Sequence, residues 1–155
     1  MPGELLGSDG LSRGIHQEDV IALVDSDVCR SSAEDVASLM ADVPAISCYF
    51  NRLLADEVQR QRGLMSVLRH MDAEQRLAMF LLNIGKRLQK RGYSRTEFVL
   101  PMSRGDIGCY LGLKQETVSR TLASLCNSDL IAIDNRQVHI LQVEALREIR
   151  NSRVN

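Results

Sequence analysis

The sequence lacks an excess of charge of either sign. Nineteen Lys and Arg stand against twenty Asp and Glu, for a net charge of −1 and a pI near 6.3. That balance excludes a protein that holds nucleic acid through bulk positive charge, so any DNA affinity has to come from local basic clustering and from a dimer. No apolar run approaches the roughly 18 residues of a membrane span. Residues 1–15 carry Gly, Glu and Asp rather than an apolar stretch, so no secretory leader is expected. The reading is cytoplasmic, without a membrane partner. The four cysteines, at 29, 48, 109 and 126, form no C-x-x-C pair, and no His stands at metal-ligand spacing from any of them. Reduced thiols are expected, each a small buried hydrophobe. There is also no Ser/His/Asp set, P-loop or Gly-rich dinucleotide turn, and His16, His70 and His139 lie in three separate segments, so no enzyme is expected.

What the chain does contain is ordinary globular composition, 45% hydrophobic and 25% charged, enough for one domain or two small ones. Its most informative stretch is Ser103 to Asn127. Ser103 and Asp106 have the spacing of a capping box. Ile107 and Leu111 give the following helix one buried stripe, and Gly112 suits the left-handed residue that ends it. After Leu113 and Lys114 a second helix buries Val118, Leu122 and Leu125. Glu116, Ser119, Arg120 and Ala123 then point outward. Two short helices joined by a Gly-containing turn, the second presenting polar side chains, are a helix-turn-helix signature. In a major groove an Arg can bond guanine, a carboxylate can accept from cytosine and a Ser can serve either way. On spacing alone, Glu116 and Arg120 also read as a surface i,i+4 ion pair.

The flanking residues predict a mainly α protein with little β. Ser31 or Ser32 opens a short helix to about Ala41. Pro44 opens a long one to about Met71. In it Leu54, Val58, Gln61, Met65 and Leu68 form a heptad seam, and Ile46, Phe50, Leu53 and Leu64 form a second stripe. One broad face packed within a monomer and a parallel two-stranded dimer both fit this pattern. Gln61 would weaken such a dimer or fix its register, and Gly63 would weaken the helix. Asp72 and Gln75 form a second capping box ahead of a helix over 73–91 that buries Leu77, Phe80, Leu81, Ile84 and Leu88, with Gly92 past its end. A short strand over 97–100 precedes the helix-turn-helix. After it, residues 130–133 and 138–141 flank Asp134-Asn135-Arg136-Gln137 as a hairpin, the wing of a winged helix, and a last helix spans 143–150. Upstream, Pro2, Gly3, Gly7, Gly10 and Gly14 mark turns, and 19–22 and 26–30 read as short strands.

The string RGDIGCYLGLKQETVSR resembles the DNA-binding segment of the CRP/FNR family of bacterial transcription regulators, in its FNR-like branch. The resemblance implies that Glu116, Ser119 and Arg120 read bases in a TTGAT-type half-site, on an inverted repeat bound by a homodimer. Lys114, Thr117 and Arg104 are then candidates for phosphate positioning, with Arg136 at the wing tip. Gln115, where the family often has a small apolar residue, is a secondary contact. The seam Leu54, Val58, Gln61, Met65 and Leu68 becomes the dimer interface. Pro2-Gly3-Glu4-Leu5-Leu6-Gly7 resembles a turn of the family's β-roll sensor. The implied organisation is a truncated β-roll remnant over 1–31, a short and a long dimerisation helix over 32–71, and a winged helix-turn-helix over 72–155.

Cys29, in ALVDSDVCR, aligns with the late ligand of the branch's iron–sulfur cluster. Such a cluster needs four thiolates, so no cofactor is expected in this chain and an oxygen- or redox-responsive cluster only in a complete protein. The Arg-Ser pair of cyclic-nucleotide members is absent from the turn around Ser8 to Gly14, so cAMP is not the expected effector. An activator role and contact with RNA polymerase follow from the resemblance. The competing readings are a winged-helix module that binds proteins and a sensor-less regulator.

Overall fold

Ser32 and Asp72 set the starts of two of the helices that organise the chain. The computed structural model describes residues 5–16 and 19–152. Pro2, Gly3 and Glu4 of the expected β-roll turn lie outside them. Among the described residues, the order is α1 (Gly10–Arg13), α2 (Ala33–Asp42), α3 (Pro44–His70), α4 (Ala73–Gln89), β1 (Glu97–Val99), α5 (Arg104–Leu111), α6 (Gln115–Asn127), β2 (Ile131–Asp134), β3 (Gln137–Ile140) and α7 (Val143–Asn151). The architecture is mostly helical with one small sheet, as the pattern predicts. The chain divides into two compact units, Met1–Gly63 and Leu64–Asn155.

In the first unit, the Ser32 hydroxyl accepts from the Asp35 N–H at 3.0 Å and donates to its carboxylate at 2.7 Å, which starts α2. Pro44 opens α3, where its missing N–H costs nothing. Ile46, Phe50 and Leu53 are half-buried. Phe50 joins Leu11, Val36, Ala37 and Met40 around a shallow pocket of about 370 Å³. Two expectations fail here. The stretches 19–22 and 26–30 are not strands: they run exposed, without a ladder partner among the described residues. A strand exists only where a neighbour takes its N–H and C=O groups, and composition does not supply the neighbour. Cys29 and Cys48, and Cys109 in the second unit, are exposed rather than buried, and Cys126 is half-buried. The burial preference of cysteine is an average that each site overrides.

The second unit is built around α4. Asp72 accepts from the Gln75 N–H at 2.9 Å while the Gln75 side chain accepts from the Asp72 N–H at 3.1 Å, completing the capping box. Leu77 and Leu81 are fully buried with Ile107, Leu111, Val118, Leu125, Ile131, Val138 and Leu146, and Phe98 of β1 joins them, so that one apolar core draws on every element from α4 to α7. Gln75, buried itself, donates to the carbonyl and hydroxyl oxygens of Ser152 and so fastens the end of α7 to the start of α4. Leu88 is only half-buried. Gly92, at φ +82°, turns the chain out of α4, with the Tyr93 N–H returning to the Leu88 carbonyl at 3.1 Å. A Cβ on Gly85 would overlap the Arg95 carbonyl oxygen, so the chain after α4 can lie against it only because residue 85 has no side chain.

The three strands form an antiparallel sheet in the order β1-β3-β2. Phe98 lies opposite Val138, and Ile131 opposite Ile140, which puts apolar residues of all three strands on the core face. Asp134 pairs with Gln137 across a two-residue loop in which Asn135 takes φ +53°, a conformation Asn tolerates and hairpin turns require.

Candidate nucleic-acid interface

Backbone capping fixes where α5 begins. The Ser103 hydroxyl accepts from the Asp106 N–H at 3.1 Å, and the Asp106 carboxylate accepts from the Ser103 N–H at 2.8 Å. Hydrogen bonding of the Asp106 carboxylate to Ser103, through its hydroxyl first and its backbone N–H second, lowers the Asp106 pKa from its ordinary value. Gly112 ends α5 at φ +62°, and its N–H bonds the Gly108 carbonyl. A Cβ on Gly108 would sit 2.6 Å from the Leu113 carbonyl oxygen, so a bare backbone at 108 lets the turn fold closely onto α5. Lys114 is the N-cap of α6 but offers no side-chain cap, which leaves its ammonium exposed beside a helix start.

With Val118, Leu122 and Leu125 buried beneath α6, the opposite face is fixed by helical period. Glu116, Ser119, Arg120 and Ala123 are exposed on it. No hydrogen bond or ion pair of this protein holds the side chains of Glu116, Ser119 or Arg120 among the described residues, so the Glu116–Arg120 surface pair allowed by spacing does not form. Lys114 and Gln115 are exposed on the same first turn, and Thr117 is half-buried. A Cβ on Gly105 would lie 3.5 Å from Gln115 Oε1, which brings the starts of α5 and α6 together and places half-buried Arg104 near that junction. Arg136 is exposed at the separate hairpin tip, its carbonyl accepting from Leu100 at 2.8 Å.

The α3 residues and Cys29 lie elsewhere. Val58 and Met65 are exposed, 48% and 56%, Gln61 is exposed, and Leu54 and Leu68 are half-buried. Leu68 has a neighbour in its own chain: its Cδ2 lies 3.4 Å from where a Gly112 Cβ would be. Among the described residues no three His, Cys, Asp or Glu gather where a metal could bind. Cys29 stands in an exposed segment without companion thiolates, so the residues described here do not fit an iron–sulfur cluster.

Arg76 is a residue that periodicity did not single out. Its guanidinium donates to the carbonyls of Leu68 at 2.9 Å, Met71 at 2.8 Å and Leu111 at 2.9 Å, with Gly112 at 3.5 Å. One planar fork thus spans the last turn of α3 and the turn of the helix-turn-helix. Its acceptors are main-chain carbonyls, which every residue type carries, so no sequence signal marks them.

Comparison with known proteins agrees with this geometry. Residues 75–149 match the family model of the Crp-like helix-turn-helix domain. The chain is 39% identical over 149 residues to the transcriptional regulatory protein btr of Bordetella pertussis, covering 96% of this chain and 62% of that one. It is 35% identical over 149 residues to the fumarate and nitrate reduction regulatory protein of Escherichia coli K12, covering 96% and 60%. It thus spans about three fifths of the length of these relatives. Among solved structures, FixK2 of Bradyrhizobium japonicum superimposes with a TM-score of 0.71 at 28% identity, over 79% of this chain and 60% of that one. CooA of Carboxydothermus hydrogenoformans, at 20% identity and a TM-score of 0.64 over 76% and 55%, shares the fold.

Proposed function

The chain belongs to the CRP/FNR family of transcription regulators, and from that premise we propose that it binds double-stranded DNA as a homodimer and reads an inverted repeat of TTGAT-type half-sites. The observation that carries this is the row Glu116, Ser119 and Arg120, exposed on the first turns of α6 and, among the described residues, held by no side-chain hydrogen bond or ion pair. Arg120 bonds guanine, Glu116 accepts from cytosine N4 and Ser119 contacts a neighbouring base. Arg104, Lys114, Gln115, Thr117 and Arg136 set register and affinity through the backbone. The α3 seam of Leu54, Val58, Gln61, Met65 and Leu68 joins the two copies, so that the two recognition helices meet successive major grooves.

Residues 1–31 then represent the end of a sensor region, 32–71 the connecting and dimerisation helices, and 72–155 the DNA-binding domain. RNA polymerase is the proposed protein partner, in an activating role in the cytoplasm. Cys29 would take part in an oxygen- or redox-responsive cluster only where further cysteines of a complete protein join it. Among the described residues no helix is long and apolar enough to cross a membrane.

The test is binding of Arg120→Ala to a TTGAT inverted repeat and to unrelated DNA across a salt series. Discrimination should fall by about 1–3 kcal/mol while nonspecific affinity falls less. Equal loss on both DNAs would remove Arg120 from base reading.

A further inference from the structure

The heptad frame along α3 puts Leu54, Gln61 and Leu68 at d and Val58 and Met65 at a. The same frame puts Glu57 at g and Arg62 at e, on the two flanks of the seam. The neighbouring g positions hold Phe50 and Leu64, and the neighbouring e positions hold Cys48, Ala55 and Arg69. Glu57 is the one acidic residue among them, and the frame decides what it can meet. Where two helices run parallel, each g residue faces the following e residue of the other helix, so Glu57 faces the partner's Arg62 twice over. Where they run antiparallel, g faces g and e faces e. Glu57 then meets Phe50, Leu64 or its own copy, and Arg62 meets Cys48, Ala55, Arg69 or itself. Opposite charges meet only in the parallel pair.

The side chains are set differently on the two flanks. Glu57 is held beside the seam: Arg60 Nη2 lies 2.6 Å from its Oε2, and the Gln61 amide donates to its Oε1 at 3.3 Å. The polar group at the d position is therefore satisfied by the flanking carboxylate. Arg62 is exposed and engages no carboxylate or carbonyl among the described residues. Val58, between the flanks, is half exposed. An apolar ridge with an acidic residue on one side and basic residues on the other is self-complementary, the property a two-fold interface needs.

We propose that, across the dimer seam read above, Glu57 meets the partner's Arg62 and that this pair selects a second copy of the chain in the parallel, in-register orientation. The proposal rests on the dimer reading above and adds to it the pair that decides partner choice.

The test uses the full chain and two charge reversals, Glu57→Arg and Arg62→Glu, with dimerisation followed by sedimentation and subunit mixing by native mass spectrometry. Each reversal alone places two like-charged pairs across the interface and should weaken self-association about tenfold. The doubly reversed chain should recover. An equimolar mixture of the two single variants should form heterodimer above its statistical share, because only the mixed pair faces opposite charges. That comparison is unaffected by the lost Glu57–Arg60 contact, which is absent from Glu57→Arg in every dimer it enters. Reversals that leave the dissociation constant unchanged, or a statistical mixture, would overturn the pair while leaving the dimer intact. An unmodified chain that stays monomeric at every concentration would overturn the dimer reading as well.

Discussion

Ser32 and Ser103 make nearly the same cap, one in each unit. The first hydroxyl takes the Asp35 N–H at 3.0 Å, the second the Asp106 N–H at 3.1 Å, and each opens a short helix. Their surroundings differ. The helix that Ser103 opens buries Ile107 and Leu111 completely. The helix that Ser32 opens has no buried residue, and none of the residues from 19 to 63 is buried. The hydrophobic core lies within the second unit. Local chemistry starts a helix, but an isolated helix of this length is marginal in water, and packing decides whether it unfolds as part of a cooperative whole. The upstream segment shows the same contrast: Ile21 and Val28 are 81% and 75% exposed, while Ile131 and Val138 of the wing are buried.

Substitutions can break or sharpen this comparison. The largest effect is expected at the centre of the second core. Leu81→Ala should destabilise the thermal or urea transition of that unit by about 2–5 kcal/mol, and an unchanged midpoint would mean that the core does not carry the transition. Next comes Gly85→Ala, whose methyl meets the Arg95 carbonyl; the strain should cost about 1–3 kcal/mol in the same transition. Ser103→Ala should then cost about 1 kcal/mol. Ser32→Ala removes the same bond, yet should leave the cooperative transition in place and show only as faster amide exchange within α2. Equal shifts from the two serines would erase the distinction between the units.

The smallest effect concerns acid. The Asp106 pKa is depressed, so its contribution is present above the ordinary carboxylate pKa and is lost as pH falls through the lowered value. The stability gap between the parent chain and Asp106→Ala should be constant near neutrality and close in that acidic window, as read by melting at a series of pH values. A gap that persists in full at the acid end would mean that the carboxylate form is not what caps α5.

The helix-turn-helix was legible because its determinants are local. Ser103, Asp106 and Gly112 act within a few residues of where they stand, and the period of Val118, Leu122 and Leu125 names the face they leave outward. The hairpin was legible for the same reason, its turn residues lying between two apolar runs. Residues 19–30 misled because a strand is defined by a neighbour that a list of β-branched residues does not contain. The cysteines misled because burial is a property of a site. Gln75 was read as a cap alone, and its second role at Ser152 depends on a residue 77 positions away. Arg76 was invisible for a related reason, since its partners are backbone oxygens as far as 36 positions distant.

Arg76 has a consequence for how the recognition turn can be aimed. A carbonyl in a helix points along the axis, and successive carbonyls are rotated by about 100° around it. The guanidinium takes Leu68 in the last turn of α3 and Met71 just past its end, while its other edge takes Leu111. The turn before α6 is thereby keyed to the rotational phase of the end of α3. A twist of that last turn about its own axis would carry both carbonyls off the fork and free the turn, whereas slight bending that preserved the phase would leave it seated.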